Sequence, residues 1–137
     1  MRNTGIWLDR EKAFIITIDK KTASVHLIAS NLEHFNISGG SGTKFKGGPQ
    51  DVVQDSKYLE REKHQFKNYF SEIIEYVKNT NALVIFGPAD SHQKLKKEIQ
   101  EFHKELNEKV IAVIKSDSMT ENQLKALVRD FFKSNKS

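Results

Sequence analysis

Three kinds of residue in this sequence are of types that do chemistry: aspartates at the ends of apolar runs, scattered histidines, and a glycine-rich stretch carrying cations and an aromatic. Asp9, Asp90 and Asp117 each follow a run of strand length, and carboxylates converging from neighbouring strand ends are what a two-metal nuclease needs to hold its cations. Each also has a local explanation. Asp9 stands beside Arg10 in a tight turn, Asp90 is placed to cap a helix, and Asp117 precedes Ser118 just before another cap, so turn and cap roles account for all three. The five histidines, His26, His34, His64, His92 and His103, show neither HxxxH nor HxH spacing, which would bring two onto one face, so no metal site is expected. His64 and His92 read as exposed helix residues within reach of phosphate. Gly87-Pro88-Ala89-Asp90 joins a strand to a helix N-terminus, where free N–H groups hold anions, but it has neither a Walker lysine nor GxGxxG. Cysteine is absent, which removes thiolate zinc sites, disulfides and a cysteine nucleophile.

The glycine-rich stretch is the strongest candidate. Five of the seven glycines, Gly39, Gly40, Gly42, Gly47 and Gly48, fall within ten residues. Lys44-Phe45-Lys46-Gly47-Gly48-Pro49-Gln50 then sets two cations, an aromatic and two glycines ahead of a helix whose polar face carries Lys57, Arg61, Lys63 and Lys67. Such a segment can lay its backbone along RNA phosphates and stack Phe45 on a base. Asp51, Asp55, Glu60 and Glu62 dilute the positive field, and a solvated insertion is the alternative reading.

These residues must be positioned by a fold, and the apolar pattern supplies one. Gly5–Leu8, Ala13–Ile18 and Ser24–Ala29 are short apolar runs separated by Asp9-Arg10-Glu11 and Asp19-Lys20-Lys21, a pattern that predicts a β-meander. In the third run Val25, Leu27 and Ala29 alternate with Ser24, His26 and Ile28, as in a strand with one buried face. Residues 38–55 read as a mobile loop, preceded by a possible short strand at Glu33–Ile37. A helix is expected over Ser56–Asn79, with Leu59, Phe66, Phe70, Ile73, Ile74 and Val77 on one stripe. Ala82–Phe86, apolar throughout, reads as a strand buried on both faces. A helix follows with Leu95, Ile99, Phe102 and Leu106 buried, then a strand at Val110–Ile114. Thr120 caps a last helix that buries Leu124, Leu127, Val128, Phe131 and Phe132, and a polar tail follows from Lys133. The order β-β-β, loop, α-β-α-β-α predicts an α/β fold: a mixed five-stranded sheet with flanking helices and a ribonuclease H-like topology, in one domain over residues 1–137.

Composition bounds the function classes. Hydrophobic residues make up 37% and charged residues 29% of the 137 positions, an ordinary globular balance. The net charge of +4 and a pI near 9.2 favour an anionic partner. The apolar stretch within Met1–Asp9 is too short for a signal-peptide core, and no run approaches the roughly 18 apolar residues of a membrane span, so a cytoplasmic protein is expected.

Taken in order, Gly5-Ile6-Trp7-Leu8-Asp9 with Glu11-Lys12-Ala13, the basic loop, Lys57-Tyr58-Leu59-Glu60-Arg61-Glu62-Lys63-His64, Phe86-Gly87-Pro88 and Met119-Thr120-Glu121-Asn122-Gln123-Leu124 resemble a known group. The chain is similar, over nearly its whole length, to the stand-alone bacterial relatives of the central domain of the archaeal and eukaryotic peptide-chain release factor and its ribosome-rescue paralogue Pelota. The resemblance implies the same mixed α/β fold. In the release factor a Gly-Gly-Gln tripeptide, on a loop before a basic helix, helps water attack peptidyl-tRNA. This chain reads Gly47-Gly48-Pro49-Gln50 at that place, and the proline removes an N–H and fixes φ near −65°, so Gln50 is not presented in the same register. Pelota lacks the tripeptide and works by binding. The resemblance therefore implies a non-catalytic, cofactor-free module in contact with ribosomal or transfer RNA on the ribosome. Its contacts would come from Lys44, Phe45, Lys46, Gly47, Gly48 and Gln50 in the loop, and Lys57, Arg61 and Lys63 on the helix. A protein-interaction domain that kept the fold without RNA contact, and a peptidyl-tRNA hydrolase using Gln50, are the alternatives.

Overall fold

The opening apolar runs become Arg2–Leu8 (β1), Lys12–Asp19 (β2) and Thr22–Ala29 (β3), joined as an antiparallel meander. A computed structural model of the chain describes residues 2–20, 22–30 and 48–134, the side chains of 48–60 and 62 excepted. The later elements are Gly48–Val77 (α1), Ala82–Gly87 (β4), Ser91–Phe102 (α2), Lys104–Asn107 (α3), Val110–Lys115 (β5) and Glu121–Ser134 (α4). The sheet order is β3-β2-β1-β4-β5, with β4 parallel to both β1 and β5. This is the mixed five-stranded α/β architecture that the pattern predicts, with helices on both faces.

Alternate residues of the inner strands feed two separate cores. Ile6, Leu8, Ala13, Ile15, Leu83 and Ile85 point to one face, where Phe66, Tyr69, Phe70, Ile73 and Val77 of α1 and Leu95 and Ile99 of α2 cover them. Trp7, Ile16, Val84 and Phe86 point to the other, beneath Leu124, Val128 and Phe132 of α4. Leu83, Val84, Ile85 and Phe86 are all buried, as expected of a strand covered on both faces, because β4 lies between β1 and β5 with helices above and below.

Specific contacts fix these layers. Gly5 lets α4 approach β1: a Cβ there would lie 2.4 Å from one Val128 methyl and 2.9 Å from the other. At the α1–β4 connection Thr4 and Thr80 share a buried hydroxyl–hydroxyl bond of 2.8 Å, Thr80 Oγ1 lies 2.9 Å from the Ala82 carbonyl, and the Arg2 N–H donates to Asn81 Oδ1 at 2.7 Å. The Trp7 indole N–H donates to the carbonyls of Ser116 and Asp117, both at 3.2 Å, and so ties the end of β5 to β1. Thr120 caps α4 as expected, through a reciprocal box: the Gln123 N–H donates to Thr120 Oγ1 and the Thr120 N–H to Gln123 Oε1.

Four expectations change. Helix α1 begins at Gly48, not Ser56, so residues 48–55, read as loop, have helical backbone; a proline is tolerated in a helix's first turn, where its missing N–H is unpaired anyway. The possible strand at Glu33–Ile37 and the rest of the loop before Gly48 lie outside the described residues. On β3 neither face is fully buried, for Leu27 is 54% exposed while Ile28 is buried; β3 is an edge strand only partly overlaid by helices, so alternation there loses its meaning. The second interior helix breaks at His103, whose φ of −139° and ψ of 69° separate α2 from α3. The break lets Leu106 fill the core beyond Ile99 and leaves Phe102, expected inside, 60% exposed. Within α4, Leu127 and Phe131 are only half-buried.

Candidate nucleic-acid interface

The spacing of the cations on α1 decides which of them act together. Residues two apart on an α-helix point about 200° apart, so Arg61 and Lys63 cannot share a face. Both are exposed, but it is Lys63, His64 and Lys67 that turn toward α2, on a stripe that continues into the buried Phe66 and Phe70. Lys94 and Lys97 face them from α2, and the groove enclosed is about 960 Å³, with Glu98 and Glu101 also on its α2 side. The single polar face read from the sequence is thus split into a solvent side with Arg61 and a groove side with Lys63 and Lys67.

Phenylalanines and cations interleave in and beside this groove. Arg10 and Lys94 sit over the Phe66 ring at 5.2 Å and 4.9 Å, and the Lys67 ammonium lies 5.1 Å from the centroid of Phe102. Such placements hold long cationic side chains near an aromatic quadrupole while their heads stay hydrated. Lys94 also pairs with Asp90 at 3.6 Å. The α2 lysines and the exposed Phe102 were not among the residues picked from the sequence. Lys94 and Lys97 at i, i+3 carry a signal only once α1 and α2 are known to be neighbours.

Gly48 and Gln50 fall in the first turn of α1 and Lys57 follows on the same helix, while Lys44, Phe45, Lys46 and Gly47 lie outside the described residues.

The other chemistry-bearing residues have structural work. Asp9 Oδ1 accepts the N–H groups of Glu11 and Lys12 at 2.7 Å and 2.9 Å, an Asx turn that occupies the carboxylate. Its carbonyl receives the Tyr69 hydroxyl at 3.0 Å; burial, with the Asp9 charge adding to it, pushes that phenol well above its ordinary value. Asp90 stands at the N-cap of α2 without a side-chain cap bond. No group of three or more histidine, aspartate or glutamate side chains able to hold a metal ion occurs among the described residues. His92, expected on the surface, is buried: its ring packs against Gly87, where an added Cβ would lie 2.7 Å from Nδ1 and 2.8 Å from the Leu8 carbonyl. Burial lowers its pKa, with Asp90 opposing and Lys115 adding to that shift. Gly87 is therefore explained by close packing between β1, β4 and α2.

No protein-family model matches the chain, and no curated protein matches it significantly. Solved structures do. The fold is similar to that of an archaeal translation termination factor, with a TM-score of 0.60 and 12% identity over 99% of this chain and 35% of that one. The fold is release-factor- and Pelota-like. The Pelota protein of Thermoplasma acidophilum gives a TM-score of 0.59 at 17% identity over 97% of this chain and 34% of its own, and Pelota of Archaeoglobus fulgidus 0.59 at 8% over 98% and 31%. The chain spans about a third of the length of these proteins, and at such identities the likeness is one of fold. No helix among the described residues is long and apolar enough to cross a membrane.

Proposed function

We propose that this chain is a non-catalytic module of the translation apparatus that binds the ribosome through RNA, in a termination- or rescue-related role in the cytoplasm. The observation that carries the reading is the lysine-rimmed groove between α1 and α2 in a fold like that of a translation termination factor and Pelota. Lys63 and Lys67 on one wall and Lys94 and Lys97 on the other exceed Glu98 and Glu101 in charge, which favours an anionic partner. Upstream of α1, Lys44, Phe45 and Lys46 extend the cationic surface in sequence, and Gly47, Gly48, Gln50 and Lys57 extend the proposed contact along the start of α1, while Arg61 would meet RNA from the solvent side of that helix and not from the groove. Ribosomal or transfer RNA is the partner, and no cofactor is needed. Binding of this kind draws its affinity from counterion release, with log K falling against log salt in proportion to the phosphates neutralised.

Pelleting with purified ribosomes tests this directly. Wild-type protein should co-pellet at low salt and be lost as salt rises, and reversing the groove lysines Lys63, Lys67, Lys94 and Lys97 to glutamate should abolish the association. Pelleting unchanged by both salt and charge reversal would contradict it and favour a protein contact.

A further inference from the structure

Phe102 is the last residue of α2, and the break at His103 leaves its ring 60% exposed. It lines two grooves at once. On one side lies the groove of Lys63, Lys67, Lys94 and Lys97; on the other lies a second groove of about 500 Å³ whose cations are Lys78, Lys104 and Lys109. Among the described residues seven lysines thus flank the ring against Glu98, Glu101 and Glu105; Lys78 and Lys94 are paired with Glu75 and Asp90, which leaves five to meet phosphates, and one of these, Lys67, already lies over the ring. A large exposed aromatic in the middle of a cationic track is the arrangement by which proteins hold single-stranded nucleic acid: cations follow the backbone and an aromatic face takes a base. A duplex keeps its bases stacked inward and offers such a ring nothing.

We infer that the α1–α2 seam binds a single-stranded RNA segment, with Phe102 stacking on a base and the two lysine groups holding phosphates on either side of it. This rests on the RNA reading above and adds the form of the RNA, the path and the stacking residue. Since Phe102 is exposed, replacing it leaves the core intact, and circular dichroism checks that it does.

The experiment is fluorescence anisotropy of the whole protein with a labelled 12-nucleotide oligouridylate and with a 12-base-pair RNA duplex, alongside ribosome pelleting. The single strand should bind more tightly than the duplex. Phe102→Ala should weaken single-strand binding roughly 10- to 100-fold without changing the salt slope, because no charge is lost. Phe102→Trp should retain binding. Lys67→Glu with Lys104→Glu should instead flatten the slope. Equal affinity for duplex, or Phe102→Ala binding the single strand like wild type, overturns the inference; if ribosome pelleting stays salt-sensitive in that case, the translation reading stands and only the stacking path fails. Phe102→Ala that abolishes ribosome pelleting while oligouridylate binding is unchanged also overturns it, and assigns the ring to a ribosomal protein. Failure of wild-type protein to bind either RNA or ribosomes removes both readings.

Discussion

Replacing Gly5 by alanine tests how α4 is held on the sheet. The new methyl would lie 2.4 Å and 2.9 Å from the two Val128 methyls and 3.2 Å from its Cβ. Every staggered rotamer of the valine keeps at least one methyl in one of these two positions, so rotation does not clear the contact, and α4 must withdraw by roughly 0.5–1 Å to restore ordinary carbon–carbon separation. Overpacking of this kind costs about 1–3 kcal/mol, while the glycine-to-alanine change stabilises by roughly 0.4–1 kcal/mol through the unfolded chain. The expected net is a loss of about 1–2 kcal/mol, or a fall in Tm of several degrees for a domain of this size. Val128→Ala alone opens a cavity in the core that Val128 shares with Trp7 and Phe86 and is itself destabilising. Combined with Gly5→Ala, it makes room for the methyl, so the double variant should be more stable than the sum of the single changes requires, by about 1 kcal/mol. Urea unfolding of the four proteins gives the cycle. A neutral Gly5→Ala, or strict additivity, would refute the close-approach argument.

Thr80→Val removes a hydroxyl that accepts or donates in the pair with Thr4 and lies 2.9 Å from the Ala82 carbonyl, and should cost about 1–3 kcal/mol in urea unfolding because the buried partner is left unpaired; adding Thr4→Val should recover part of that loss. His92 is buried and its pKa is lowered, so the unfolded chain takes up the proton more readily than the folded one. Its contribution is fully present above the unfolded-state pKa near 6.5 and is lost as pH falls below it, with a slope of at most about 1.4 kcal/mol per pH unit for the one proton. Comparing unfolding at pH 7 and pH 5.5 for wild type and His92→Leu checks this: the variant should show a smaller pH dependence, and equal slopes would place the titration elsewhere.

The strands and helices were legible because their apolar periodicity is unbroken. β4 reads as a buried strand from Ala82 to Phe86 since every position is apolar, and α4 announces itself through Thr120 and Gln123 of its capping box. The failures share a physical cause. Whether Leu27 or Ile28 faces the core depends on how far the helices overlay an edge strand, which the strand's own residues do not encode. Phe102 continues a helical stripe with Leu95 and Ile99, and only the backbone break at His103, where no proline or glycine marks an end, turns it outward. Likewise Lys63 groups with Arg61 by charge alone until 100° per residue is applied, and Lys94 and Lys97 gain meaning only when α2 is laid beside α1. The candidate site was therefore half visible: the α1 lysines could be named from sequence, but the groove they rim is a property of two packed helices.

Association with ribosomes is tested most directly by sucrose-gradient sedimentation of the tagged protein in cell lysate, at low and high salt and beside the variant with Lys63, Lys67, Lys94 and Lys97 changed to glutamate. Co-migration with ribosomal particles at low salt, lost both at high salt and in the variant, is the predicted result; wild-type protein that remains at the top of the gradient at low salt would contradict it.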